Sequence, residues 1–248
     1  MKRILLLCAA IVLFAATAAA QKDQKPWTEW NEKDTMKMLT DSAWSQTQKE
    51  VAESGSSGPA ITTAAENRSS ANMVMNDKDK ASSQSGESMG RASFVQYSVA
   101  FLSAKPIREG FIRLLELKNP DTPADKVTER RGFVDRDFGD YIVVALKLDG
   151  NDMKKIAPAR QLLNNADAMK EAKDTAYLER KDGKRVALMD YRAPDMMGAK
   201  FIFPRSVDGK PFLDANSGEV RVYIEVGKTK LNRRFKVADM MYDGKLEY

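Results

Sequence analysis

A tract of small and polar residues at 52–92 divides this 248-residue chain and decides where a folded core can form. The tract contains nine serines and few large apolar side chains. Such a composition buries too little apolar surface to offset the conformational entropy that is lost on ordering. We therefore predict a flexible, disordered linker at residues 52–92, with folded structure on either side of it.

The first twenty residues have the three parts of a secretory signal peptide. Lys2 and Arg3 are basic, Ile4 to Thr17 is apolar, and the three alanines before Gln21 are small. We expect cleavage after residue 20, no transmembrane span in the rest of the chain, and a periplasmic or extracellular protein. Because Cys8, the only cysteine, lies in this segment, stability must come from a buried core rather than from disulfides.

Residues 93–248 are predicted to form an α+β domain. Apolar residues alternate with polar ones in several segments, as half-buried strands require, and a Pro106-led segment has helical spacing. The order is strand, helix, strand, helix and about five further strands. This order favours a mostly antiparallel sheet of about six or seven strands with two helices on one face. The predicted strands lie near 95–101, 141–148, 176–180, 185–191, 201–203, 220–226 and 231–237, and the helices near 106–119 and 151–174.

Residues 21–51 are predicted to be a short helical segment that carries the chain's three tryptophans. Trp27, Trp30 and Trp44 are the candidate partner-binding residues, because aromatic anchors dominate many protein interfaces. Two alternatives stay open. The segment folds back on its own domain, or it is disordered.

The residue types that are missing exclude much catalytic chemistry. The chain has no histidine, so Ser-His-Asp and Cys-His arrangements cannot form, and we predict no catalytic residues and no cofactor. The alternative is a carboxylate-dependent hydrolase of cell-wall or extracellular polysaccharide, in which two carboxylates flank a glycosidic bond. The candidate carboxylates are Glu109, Glu116, Glu129, Asp135, Asp137 and Asp140.

The sequence carries weak signals for metal binding and none for nucleic-acid binding. Asp135 to Asp140 resembles the start of a calcium loop, but Gly139, Asp140 and Leu146 occupy positions where such a loop needs other residues, and we predict no metal site. A further alternative is copper or apolar-ligand binding through methionine pairs. The balance of 40 basic and 35 acidic residues is too even to indicate nucleic acid as a partner. The methionine pairs that could bind copper or an apolar ligand are Met36 with Met38, Met73 with Met75, Met196 with Met197, and Met240 with Met241.

Three stretches carry a resemblance to known sequences. They are Trp27-x-x-Trp30 followed by Leu39 to Trp44, then Phe101 to Arg108, and finally Met241 to Glu247. Together they resemble a group of uncharacterised exported bacterial proteins with no assigned activity. The resemblance implies export and implies no substrate or functional residue.

These observations predict an exported, non-enzymatic envelope or secreted protein that acts by binding or as a structural interaction module. Its expected partner is an envelope protein that contacts the tryptophan-bearing segment. The sequence gives no indication of the oligomeric state.

Overall fold

The computed structural model of this chain describes residues 25–51, 93–171 and 173–248. The predicted signal peptide and the predicted linker lie outside these ranges. None of the helices within them has the length and the apolar composition needed to cross a membrane.

The described residues form an α+β fold whose strands pair antiparallel. The helices are α1 (Glu32–Thr40), α2 (Lys105–Lys118), α3 (Ala124–Arg131), α4 (Met153–Asn164) and α5 (Ala166–Glu171). The strands are β1 (Ser45–Val51), β2 (Phe94–Phe101), β3 (Tyr141–Gly150), β4 (Ala176–Arg180), β5 (Arg185–Ala187), β6 (Asp190–Asp195), β7 (Gly198–Pro204), β8 (Ser206–Val207), β9 (Lys210–Pro211), β10 (Glu219–Val226), β11 (Thr229–Lys236), β12 (Met241–Tyr242) and β13 (Lys245–Leu246).

The strands divide between two main sheets rather than forming the single sheet of six or seven strands that the sequence predicts. The first sheet has the order β1-β2-β3-β7-β6, and the second has the order β11-β10-β4-β5. Strand β10 buries every second residue, which is the pattern of a sheet with one face on a core and one face toward solvent. Alternation predicts the buried face of such a strand but not its neighbours, so the split into two sheets was not visible in the sequence.

The core lies between the two sheets. Val95, Val99 and Phe101 of β2 are fully buried, as are Leu178 and Ile224 of the second sheet. The ring of Phe101 meets the edge of the Phe235 ring across the interface, with 5.0 Å between their centroids. Fully burying a side chain of this size contributes roughly 1.5–3 kcal/mol to stability, so the residues buried between the sheets stabilise the fold.

The helices cover more than one face. Leu39 of α1 and Leu114 of α2 lie over Ala100 and Ala145, which are direct cross-strand partners in the first sheet. On the core side, the Tyr191 hydroxyl of β6 donates a hydrogen bond to the Leu163 carbonyl of α4. The layer formed by α1, α2 and α3 is the one that positions the candidate site.

Residues 25–51 pack onto the rest of the described chain. Helix α1 lies against α2, and β1 pairs with β2 along its whole length, from Ser45 opposite Ala100 to Val51 opposite Phe94. The helical prediction for residues 45–51 is therefore wrong. Side-chain hydroxyls that follow the helix satisfy its last carbonyls. Ser42 Oγ donates to the Met38 carbonyl at 2.9 Å, and Thr47 Oγ1 donates to the Thr40 carbonyl at 3.0 Å.

Candidate partner-binding surface

Trp44 lies in the core and offers no free surface to a partner. Its side chain is 6% exposed, and its indole Nε1 donates to the Glu247 carbonyl at 2.8 Å. The Tyr242 ring meets the Trp44 ring edge-on, with centroids 5.9 Å apart. Trp44 thus joins the turn before β1 to the β12–β13 hairpin.

A buried carboxyl group lies next to this aromatic pair. Glu109 of α2 is 2% exposed, and its Oε2 accepts a hydrogen bond from the Tyr242 hydroxyl. Burial raises the pKa of Glu109 to about 7, although the hydrogen bond from Tyr242 and the charge of Lys105 act to lower it. A raised pKa suits a general acid, but neither cavity described below is lined by Glu109. Glu109 therefore has no route to a substrate there.

The other candidate carboxylates are held in local contacts. Glu129 pairs with Lys126 at 2.8 Å, Asp135 pairs with Lys105 at 3.3 Å, and Asp137 Oδ1 accepts the Gly139 N–H at 2.8 Å. In the described ranges, no group of three or more Asp or Glu side chains is placed to hold a metal ion. Of the six candidate carboxylates, Glu116 alone lines one of the two cavities described below.

Two of the candidate methionines line the same cavity. Met36 of α1 and Met197, in the turn before β7, both line a cavity of about 60 Å³ between α1, α2 and the first sheet. Ligand sites for drug-sized molecules occupy roughly 300–1,000 Å³, so this cavity is far too small for such a ligand. Met240 is buried, Met196 is exposed, and Met73 and Met75 lie outside the described residues.

Trp27 and Trp30 lie on the surface formed by α2 and α3. A 3-10 turn, Trp27–Glu29, follows Pro26 and leads into α1, and neither indole is fully buried. Trp30 Nε1 donates to the Lys25 carbonyl at 3.0 Å, and the Trp30 carbonyl accepts from Arg113 Nε at 2.7 Å. These bonds hold the tryptophan turn against α2.

A groove of about 370 Å³ lies between α2 and α3, beside the tryptophan turn. We call it the α2–α3 groove. Pro120 and the Asn119 cap end α2 and let the chain turn into α3, which places the two helices side by side. The groove is lined by Arg113, Glu116, Leu117, Asn119, Pro120, Val127 and Arg131.

Glu116 holds the two arginines of the groove in place. Arg131 Nε donates to Glu116 Oε1 at 2.7 Å, and Arg131 Nη2 donates to Oε2 at 3.3 Å. Arg113 Nη1 reaches the same Oε2 at 3.4 Å. The guanidinium carbon of Arg131 also lies 5.4 Å from the centroid of the Trp27 ring, within the range of a cation–π contact.

The electrostatics of the groove favour the charged form of Arg131. The hydrogen bond to Glu116 raises the pKa of the Arg131 guanidinium above its usual value. The Arg131 side chain is 45% exposed, whereas that of Glu116 is only 10% exposed. The groove therefore presents guanidinium groups, rather than the carboxylate, to an incoming ligand.

Sequence reasoning identified Trp27 and Trp30 by residue type but missed Arg113 and Arg131. The three-residue spacing of Arg113 and Glu116 on the predicted helix is a signal that could have identified this ion pair. No pattern linked Arg131, fifteen residues further on, to the same carboxylate. Comparisons with protein-family models, with curated proteins and with solved structures found no match.

Proposed function

We propose that this chain is an exported, non-enzymatic protein of the bacterial envelope that binds a partner through Trp27, Trp30 and the α2–α3 groove. The observation that carries the proposal is the placement of two incompletely buried indoles beside a groove that two arginines line. Tryptophan and arginine are the residue types most enriched among the side chains that dominate binding energy at interfaces. Trp44 is not part of the proposed site, because it is buried.

The bonding within the groove supports binding over acid–base catalysis. Both oxygens of Glu116 accept hydrogen bonds from guanidinium groups. A carboxylate whose two oxygens are both occupied by guanidinium donors is poorly placed to take a proton from a substrate. The side chains of Leu117, Val127 and Pro120 complete the lining and have no acid–base chemistry.

The size of the groove fits the anchor residues of a partner. At about 370 Å³ it lies near the lower limit of ligand-sized cavities, which is enough room for a few side chains. The proposal therefore requires a small anchoring segment on the partner, with further contacts on the exposed faces of the two tryptophans.

A crosslinking capture from envelope fractions tests the proposal. We expect full-length protein to capture a partner and the double variant Trp27→Ala, Trp30→Ala to lose it. Tyr141→Ala is the matched control, because Tyr141 is an aromatic residue that is 46% exposed and lies outside the groove. Equal capture by the tryptophan variant and the Tyr141 variant would contradict the proposed site.

A further inference from the structure

We infer that the α2–α3 groove binds a protein segment in which an aspartate or glutamate side chain lies next to an apolar one. This inference rests on the proposed function and names the chemistry of the partner at the same site. Three observations support it: the unused N–H groups of the two arginines, the apolar lining between them, and the mixed charge of the surrounding elements.

The hydrogen bonds of the two arginines leave donors available. Arg113 uses Nε on the Trp30 carbonyl and Nη1 on Glu116, whereas Arg131 uses Nε and Nη2 on Glu116. Within the described part of the chain, Arg113 Nη2 and Arg131 Nη1 have no acceptor. Two positive charges share one carboxylate, so the groove keeps an excess positive charge and free donors that suit an anion.

The apolar side chains of the groove indicate that its ligand carries an apolar group as well as a negative charge. Leu117 of α2 and Val127 of α3 are half-buried, and Pro120 closes the end of the groove. A small inorganic anion would leave these surfaces in contact with water. An acidic residue followed or preceded by an apolar one would satisfy the arginines and cover the apolar surface together.

The charges around the groove are of both signs, so they do not form a continuous basic surface for a polyanion such as a membrane or an acidic glycan. The elements that bound the groove carry exposed carboxylates at Glu29, Asp125 and Glu129, interspersed with exposed lysines at Lys118 and Lys126. An extended array of negative charges would meet these carboxylates as well as the arginines. A single carboxylate on a peptide segment reaches the guanidinium groups and avoids the like charges.

Peptide selection on the full-length protein tests the inference. Random twelve-residue peptides displayed on phage are selected against the protein, and the enriched peptides are synthesised and their affinities measured by calorimetry. We expect enriched sequences to share an acidic residue beside an apolar one. Changing that residue to its amide, or changing Arg131→Gln, lowers the affinity about tenfold or more, because each removes a charge-assisted hydrogen bond. Arg130→Gln, a neighbouring change outside the groove lining, leaves it unaltered.

Glu116→Gln separates a binding role from a structural one. This change removes the carboxylate that competes for both guanidinium groups, so we expect the acidic peptide to bind more tightly. If Glu116 and the arginines served only to hold α2 and α3 together, the same change would weaken binding. Circular dichroism and thermal unfolding of each variant confirm that it is folded.

The outcomes distinguish the inference from the proposed function. Peptides whose binding needs Trp27 and Trp30 but no acidic residue would overturn the inference and leave the proposed function standing. Peptides that bind equally to the Trp27→Ala, Trp30→Ala variant would contradict both. If no peptide is enriched, or if vesicles of phosphatidylglycerol and phosphatidylcholine bind in an Arg131-dependent way instead, the inference is also overturned.

Discussion

At the residue scale, Glu109 is a buried carboxyl group enclosed by α2 and the β12–β13 hairpin. Burial raises its pKa to about 7, and the facing groups are Tyr242 and Asp243 of the hairpin region and Lys105 and Arg108 of its own helix. The Glu247 carboxylate lies nearby, where its Oε2 accepts the Lys105 backbone N–H at 3.0 Å. The folded protein thus keeps a proton at Glu109 that the unfolded chain releases near pH 4.5.

Because of the proton on Glu109, we predict that the free energy of unfolding depends on pH. The pKa of Glu109 is higher in the folded state than in the unfolded state. Its contribution to the free energy of unfolding is therefore fully present below about pH 4.5 and is lost as the pH rises through about 7. Glu109→Gln keeps the size of the side chain and its acceptor for Tyr242 but removes the titration. We expect the free energy of unfolding of the variant, relative to the native protein, to increase by roughly 1–3 kcal/mol between pH 4 and pH 8. Urea unfolding of both proteins at the two pH values measures this change. If the two proteins lose or gain stability in parallel between these pH values, the pKa of Glu109 is not raised.

At the scale of elements, the pairing of β1 with β2 determines how the tryptophan segment is held. The Phe101 N–H donates to the Trp44 carbonyl at 2.9 Å. Hydrogen-bonded pairs alternate along an antiparallel ladder, so the Gln48 N–H faces the Tyr97 carbonyl in the same register. Gln48 also accepts a side-chain hydrogen bond from Arg233 at 2.9 Å.

Gln48→Pro is predicted to weaken this attachment. Proline removes the N–H and leaves the buried Tyr97 without a ladder donor, which should lower the free energy of unfolding by about 2–3 kcal/mol. Gln48→Ala is the matched control, because it removes only the side-chain contact with Arg233 and should cost about 1 kcal/mol. Chemical unfolding of both variants measures the difference. Equal stabilities would show that the β1 backbone does not hold the segment.

The elements that sequence reasoning predicted are those with a strong local pattern. The alternation from Val220 to Val226 and the Pro106-led helix both correspond to observed elements. Strand β1 was predicted as helix because its sequence, SQTQKEV, has no apolar alternation. Its strand conformation depends on β2, which begins 43 residues later at Phe94. The single helix predicted near 151–174 is divided into α4 and α5 in the structure, and Pro158 lies inside α4.

At the scale of the whole molecule, the two sheets form the core and the α1–α3 layer forms the candidate site. Residue type alone pointed to Trp27 and Trp30, whereas their surroundings depend on contacts among three separate elements. Arg113 comes from α2, Arg131 from α3 and the indoles from the turn before α1. Only the tertiary structure places the two arginines in one groove beside the indoles. The sequence therefore singled out the tryptophans by residue type, but it indicated neither the arginines nor the burial of Trp44.

Site-specific photo-crosslinking in cells tests the partner-binding site most directly. A photoreactive residue replaces Glu29, which is exposed between the two tryptophans, or Asp182, which is exposed in the hairpin between β4 and β5. We predict a crosslinked partner from position 29 and none from position 182, with the crosslink lost in the Trp27→Ala, Trp30→Ala background. A crosslink from position 29 that persists without both tryptophans, or one that forms only from position 182, would contradict the proposed site.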